Sequence, residues 1–360
     1  MPNEIEEQDA HRPPVRVGII GLGRAAFSEH LPALRQLPGL FKIVAVCDLL
    51  KERRDLIEKD LPDVRTYRQI EDMLDDPDID LVDITLPSLD HVPTALSSLA
   101  RGKWTLVESP LALTTDDATK LKAASLKVRN KLFAYTPGLF SPEFRTAQEF
   151  LSKSLLGDLY EVRLRRQNYR RRDDWLSVKR CGGGIAWTIG QDYLLQALAL
   201  MQAQPAQLWS ELKRLAALGD AEDFAHIVLK SRANVTADIE LNGGQLGPTE
   251  PAIMLRGSRG TLTIAPGAST GVFHGLPADY KFSRKRASVR TPALNEEPEE
   301  LPLTTSEFTR SAAIEAGSTV FWKALYATIR TAAPFPVELD TVLEVVRFLQ
   351  IVKQSSPFSK

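Results

Sequence analysis

Residues 15–20 read VRVGII, an apolar run short enough for a buried strand. They are followed at once by GLGRAA, with Gly21, Gly23 and Ala26 at the spacing of a turn that opens a helix. A second apolar strand, IVAVCD over 43–48, ends in Asp48. Strand, glycine turn, helix, strand and acid form the dinucleotide-binding fingerprint in its required context. Gly21 can take the tight turn, and Gly23 lets backbone approach a pyrophosphate. Ala26 lets the helix pack closely on the strand. Arg24, Ala25 and the free N–H groups of the helix start complete the phosphate-facing loop. Asp48 can accept hydrogen bonds from an adenosine ribose and would repel a 2′-phosphate. NAD is therefore the expected cofactor, and NADP stays open because Arg53 and Arg54 follow closely.

The pattern of one strand and one helix repeats to about Pro137. KERRDLIEKDL reads as a helix, DVRTY as a short extended piece, and QIEDMLDD as a helix stopped by Pro77. LVDITL, WTLVES and KLFAYT read as strands. The helices DHVPTALSSLARG and DDATKLKAASLKVR lie between them, the second with Thr114 or Thr115 as N-cap. Repeated βα units imply a doubly wound parallel sheet of α/β class. With 360 residues, a second domain is expected. We divide the chain into a loose polar leader over 1–14, a Rossmann domain over 15–137 and a second α/β domain over 138–360.

In the second part YEVRLRRQNYR reads as a strand, and GGG at 182–184 leads into the apolar helix IAWTIGQDYLLQALALM. QLWSELKRL, FAHIVLKS and VTADIELN are strand candidates, and IMLRGSRGTLTIAP is a hairpin. An open, mainly antiparallel sheet with helices on one face is expected. Residues 267–315 read as irregular, and SEFTRSAAIEAGSTVFWKALYATIRTA and ELDTVLEVVRFLQIVKQ as closing helices.

A net charge of −1 argues against a chain built to hold nucleic acid or an anionic membrane. Two cysteines, Cys47 and Cys181, suggest neither a disulfide framework nor a metal cluster. No apolar run reaches membrane-spanning length, and the start carries no signal-like core, so a cytoplasmic protein is expected.

GIIGLGRAA, AVCD, LPSLDHVPTALSSLARGKWTLVESPLALT, the GGG-plus-helix and the GSRGTLTI hairpin occur in the order and spacing of the Gfo/Idh/MocA oxidoreductases, which the chain resembles over nearly its whole length after the leader. The resemblance implies NAD(P)-dependent oxidation or reduction of a sugar, inositol or related polyol. It implies a homodimer or homotetramer associated through the second sheet, and a cis Ser109–Pro110 bond. It also implies cofactor contacts from Leu86, Pro87, Ser88 and His91, where the family often has Pro-Asn-x-x-His, and from Glu108 and Ser109.

The departures concern the chemistry. The family usually carries Glu-Lys-Pro where this chain has Glu108-Ser109-Pro110, and an Asp and a His where it has Thr188 and Asp192. A serine hydroxyl is no base near neutral pH, and general acid–base help is worth about 10²–10⁴ in rate. Asp192, one turn beyond Thr188 on the same helix face, is the best substitute; its bland reading is an ion pair with a nearby arginine. Ser109 and Thr188 are candidate hydrogen-bond donors, or in the case of Ser109 a space-filler. His91 either meets ligand or bonds backbone. Glu108 either bonds the nicotinamide-side ribose or sits in a salt bridge. Tyr135, Tyr169 and Arg180 are further substrate candidates, with packing as the alternative for the two tyrosines. Cys181 borders the glycines or simply packs.

RLRRQNYRRRDDW, over 163–175, holds six arginines. An unbroken strand would put Arg163, Arg165 and Arg171 on one face and Arg166, Arg170 and Arg172 on the other. One face suits an acidic sugar; the alternative is a solvated or subunit-facing strand. Three functional readings follow: a polyol-type oxidoreductase with rearranged proton transfer, a non-catalytic cofactor- and sugar-binding sensor, and an NAD-dependent lyase or glycosidase.

Overall fold

The computed structural model describes residues 12–277, 279–282, 300–311 and 315–355, so most of the expected leader lies outside the described residues. The first half alternates as its hydrophobic runs dictate. β1 (Val15–Ile20) leads through a π-helical turn, Ala26–His30, into α1 (Leu31–Arg35). Then come β2 (Phe41–Cys47), α2 (Lys51–Asp60), β3 (Arg65–Tyr67), α3 (Ile70–Leu74) and β4 (Leu81–Ile84). α4 (Ser88–Ala100), β5 (Trp104–Val107), α5 (Thr115–Lys127) and β6 (Leu132–Ala134) complete the unit. The sheet order is β3-β2-β1-β4-β5-β6, every pair parallel. The order reverses between β1 and β4, which makes the crevice beyond their carboxyl ends the natural ligand position of this architecture. Thr114, not Thr115, caps α5: its side chain accepts from the Asp117 N–H.

Next, α6 (Pro142–Ser152) precedes β7 (Leu159–Gln167) and α7 (Ile185–Met201). β8 (Pro205–Lys213), β9 (Phe224–Ser231), β10 (Thr236–Asn242), β11 (Ile253–Gly257) and β12 (Gly260–Ile264) follow. β13 (Thr270–Gly275) and β14 (Thr304–Thr309) end an eight-stranded sheet of order β14-β13-β12-β11-β7-β10-β9-β8. Only β7 and β10 pair parallel; the rest are antiparallel. Alternation along β7 and β10 turns Val162, Leu164, Ala237, Ile239 and Leu241 into the core beneath α7, and leaves charged residues on the open face. α8 (Gly317–Thr331) and α9 (Leu339–Ser355) close the chain.

Three elements differ from expectation. β13 and β14 lie within the stretch read as irregular: β14 is the sheet's solvated edge and needs little apolar alternation, while in β13, paired on both sides, glycines take two of the three inward positions. The helix read over SEFTR begins only at Gly317, because the first of those residues pair in β14. α6 was not foreseen, although Ser141 caps it by accepting the Phe144 N–H and Pro142 stands at its first turn. Packing also departs from linear order. α8 lies against the first sheet: Trp322 meets Phe41 edge-on at 5.2 Å, and Phe321 meets Tyr135 at 4.9 Å.

Candidate functional site

The glycine loop emerges from β1 at the switch point. Gly21 has φ +93°, and a Cβ there would stand 2.9 Å from the Thr85 carbonyl oxygen, so glycine is required twice over. At Gly23 a Cβ would meet nothing within 4 Å. Nothing inside the chain therefore requires glycine at that position; a ligand lying close to the backbone would. Ala26 is fully buried. Asp48 ends β2 and ties the loop in place: the Leu22 and Leu50 N–H groups donate to its two carboxylate oxygens, each at 2.8 Å. Arg53 approaches the same carboxylate at 3.4 Å. The residues fit a dinucleotide: an open glycine backbone for the pyrophosphate, and a fixed acid with spare lone pairs for a ribose, flanked by a cation. Arg24 is exposed and pairs with Asp174 at 3.2 Å, joining the glycine loop to the second unit.

Across the crevice, the loop after β4 brings Leu86 against Gly21. Ser88 is buried with no hydrogen-bond partner for its hydroxyl, and Pro87 precedes it at the start of α4. The Ser109–Pro110 bond is cis. His91 is corrected as a ligand-contacting candidate. It is buried, and its two ring nitrogens lie 2.8 Å from the Leu86 and Pro110 carbonyl oxygens, so it fastens the two loops together and has no nitrogen left for a ligand.

Glu108, at the end of β5, is held from beneath. The Ser109 N–H donates to one of its oxygens at 2.7 Å, and the other lies 3.1 Å from His30 Nε2. His30 Nδ1 lies 2.8 Å from Asp83, and both of those side chains are fully buried. Burial alone would push the His30 pKa down, but Asp83 and Glu108 carry it up to about 10, so the imidazole is charged at neutral pH; burial also pushes the Asp83 pKa up, against the pull of His30. The ring of Tyr135 lies 4.1 Å from that of His30, tilted by 39°, and its hydroxyl is buried without a partner. His30 and Asp83 escaped the sequence reading. Asp83 inside the apolar run LVDITL was the available signal, since a carboxylate in a central strand needs a buried partner.

Asp192 faces this cluster from α7. One carboxylate oxygen accepts the Gly138 N–H at 3.1 Å; the other is buried and free of partners. No cation pairs with it among the described residues, which removes the arginine-pair reading. Burial pushes its pKa up to about 8, the Gly138 N–H opposes the rise, and the charges of Glu108 and Glu29 add to it. Gly138 is needed for this approach, because a Cβ there would stand 2.6 Å from Gln196 Nε2 and 2.9 Å from the Asp192 carboxylate. The Ser109 hydroxyl is likewise buried and unpartnered. Thr188 lies one turn before Asp192 and lines a separate cavity of about 90 Å³ with Arg166, Asn168, Arg170 and Arg172. Two further substrate candidates lie outside this lining: Tyr169 is 54% exposed and alternates away from the cavity, and Arg180 is exposed on a short turn. Cys181 is half-buried beside Gly182. A larger groove of about 580 Å³, between Trp104, Phe133 and Phe335, opens where β5 and β6 begin, at the opposite end from this chemistry.

Residues 15–136 match the oxidoreductase family with an NAD-binding Rossmann fold, and residues 144–263 match the GFO/IDH/MocA C-terminal domain. The chain belongs to the GFO/IDH/MocA family. Among relatives of this family member, the uncharacterized oxidoreductase C115.03 of Schizosaccharomyces pombe is 24% identical over 96% of this chain and 98% of its own. The scyllo-inositol 2-dehydrogenase (NADP(+)) IolW of Bacillus subtilis is 21% identical over 95% of this chain and 94% of its own. The fold is shared with an NAD-binding protein from Listeria innocua (TM-score 0.78, 19% identity, 95% and 94% of the two chains). It is shared also with Synechocystis biliverdin reductase, solved with biliverdin and NADP+ (TM-score 0.75, 18% identity, 95% and 99%). The family is one of NAD(P)-dependent oxidoreductases with an NAD-binding Rossmann fold. Among the described residues, no helix is long and apolar enough to cross a membrane, and no His, Cys, Asp and Glu group suits a metal ion.

Proposed function

We propose that this protein oxidises or reduces a sugar, inositol or related polyol with NAD(P), and that Asp192 carries the proton. The observation behind this reading is the buried, unpartnered Asp192 oxygen, on a carboxyl whose pKa is pushed up to about 8. A carboxyl in that range serves in both directions near neutral pH, donating to a carbonyl and accepting from a hydroxyl. The bound nicotinamide would supply the hydride acceptor or donor. The loop Gly21–Ala26 would hold the pyrophosphate and Asp48 the adenosine ribose, with Arg53 beside it. Glu108, fixed by His30, would face the nicotinamide end. Ser109 and Thr188 would donate hydrogen bonds to substrate oxygens, and Gly138 would set the height of Asp192. Association into a dimer or tetramer through the charged open face of the second sheet belongs to the same proposal.

The competing reading is a cofactor-binding sensor, favoured by Ser109, whose hydroxyl is no base at neutral pH. One experiment separates them. The purified protein is titrated with NADH and NADPH by fluorescence, then assayed for cofactor reduction across a polyol and sugar panel. The proposal expects saturable binding, weakened about tenfold or more in Asp48→Ala, which removes a charged hydrogen-bond acceptor, together with substrate-dependent turnover. Binding without turnover across the panel selects the sensor. Binding of neither cofactor overturns both.

A further inference from the structure

Five of the six arginines of residues 163–172 divide into two groups with different surroundings. On the open face of the second sheet, Arg163 pairs with Glu161 at 2.7 Å and Arg165 pairs with Asp238 at 2.8 Å. Both guanidiniums therefore have carboxylate partners, which Arg256 and His226 share. The other set continues the strand beyond Gln167: the Asn168 N–H donates to the Asn242 carbonyl oxygen, the Arg170 N–H to that of Gly243, and Tyr169 bridges Gly244. This extended path keeps a period of two, so Arg166, Asn168, Arg170 and Arg172 all turn to the α7 side and line one cavity with Thr188.

Charge in that cavity is unbalanced. Among the described residues, neither the Arg166 nor the Arg170 guanidinium has a carboxylate in ion-pair range. Arg172 has only Asp174, at 3.0 Å, which it shares with Arg24. Burial, with Arg24 and Arg170 crowding beside it, pushes the Arg172 pKa down. Of the two carboxylates in the lining, Glu222 holds Lys353 at 2.6 Å through one oxygen, the other being buried without a partner, and Asp223 accepts three backbone N–H groups, from Leu215, Ala216 and Ala217. A volume of about 90 Å³ holds several waters and admits a carboxylate or phosphate group. Ile185, Thr188, Ile189 and Asp192 follow the i, i+3, i+4, i+7 spacing of a single helix face, so the cavity lies about one turn, roughly 5 Å, from the proton-carrying carboxyl.

We propose that the cavity of Arg166, Asn168, Arg170, Arg172 and Thr188 is an anion subsite, and that the substrate is a sugar-like molecule bearing a carboxylate or phosphate about one helical turn from the carbon served by Asp192. This rests on the oxidoreductase reading for the role of Asp192, but the anion preference is measurable by binding alone.

The test is calorimetric titration of the full chain, with and without saturating NADH, at constant ionic strength. The probes are hexuronates, hexose phosphates and the parent neutral hexoses. Two guanidinium contacts to an anion should favour the charged probe by about tenfold or more. The Arg166→Gln/Arg170→Gln double variant should bring charged and neutral probes to parity. Arg163→Gln, on the paired face, should leave the preference intact. A preference confined to uronates or to phosphates identifies which anion the subsite takes. Equal binding of charged and neutral probes, a preference that survives the double variant, or binding of no probe overturns the proposal. An intact anion preference in a protein that never turns over would instead overturn the oxidoreductase reading and leave the subsite standing.

Discussion

Replacing Asp192 by asparagine removes the titrating group and keeps the shape, so its consequences can be worked out from the structure. The wild-type carboxyl stands at about 8 in the folded protein and 3.8 in a solvated chain. Between these values the native state holds a proton that the unfolded state has lost, so unfolding free energy falls as pH rises through that window. About four pKa units at about 1.4 kcal/mol each set a ceiling of roughly 6 kcal/mol on this penalty. After relaxation and water entry, a buried ion costs several kcal/mol. Asparagine carries no such penalty. Asp192→Asn should therefore be more stable than wild type by about 2–4 kcal/mol at about pH 9, and by much less at about pH 5, in parallel urea unfolding. The same substitution should lower kcat by about 10²–10⁴, or roughly 3–6 kcal/mol of barrier. Wild-type oxidation should rise with unit slope up to about pH 8, and reduction should decline above it. A stability difference that does not change with pH would refute the buried-carboxyl argument. Full activity in the asparagine variant would refute the proton-transfer role.

Two further perturbations probe the supports of the site. His30→Gln leaves Asp83 buried without its cation and should cost about 3–5 kcal/mol in urea unfolding at neutral pH. Because the folded pKa of His30 is raised from 6.5 to about 10, its stabilisation is complete below about pH 6.5 and is lost as pH rises through 10; a cost equally large above pH 10 would refute the charged-bridge assignment. Gly138→Ala forces a Cβ against Asp192 and Gln196 and should cut kcat by about tenfold or more, since angstrom-scale misplacement carries such a cost, while NADH affinity stays unchanged by fluorescence titration. Loss of both together would place Gly138 in the fold rather than in the site.

The first sheet was legible because each part of it has a local cause. Short apolar runs, helix caps and the Gly21–Asp48 pairing specify strand, helix and turn without reference to distant residues. The same holds for α7 and the hairpin of β11 and β12. The strands β13 and β14 were not legible: β14 is a solvated edge that imposes little apolar alternation, and in β13 glycines take two of the three inward positions. Nor was the return of α8 to the first sheet, because an apolar helix stripe does not name its partner. Local sequence placed Asp192 and Thr188 on one helix face and separated the arginines by parity. Only tertiary structure decided which arginines meet carboxylates, that His91 serves backbone carbonyls, and that His30, Asp83 and Glu108 form one buried bridge. Those outcomes depend on burial and on charges brought together from distant segments, and burial and charge environment exist only once the chain is packed.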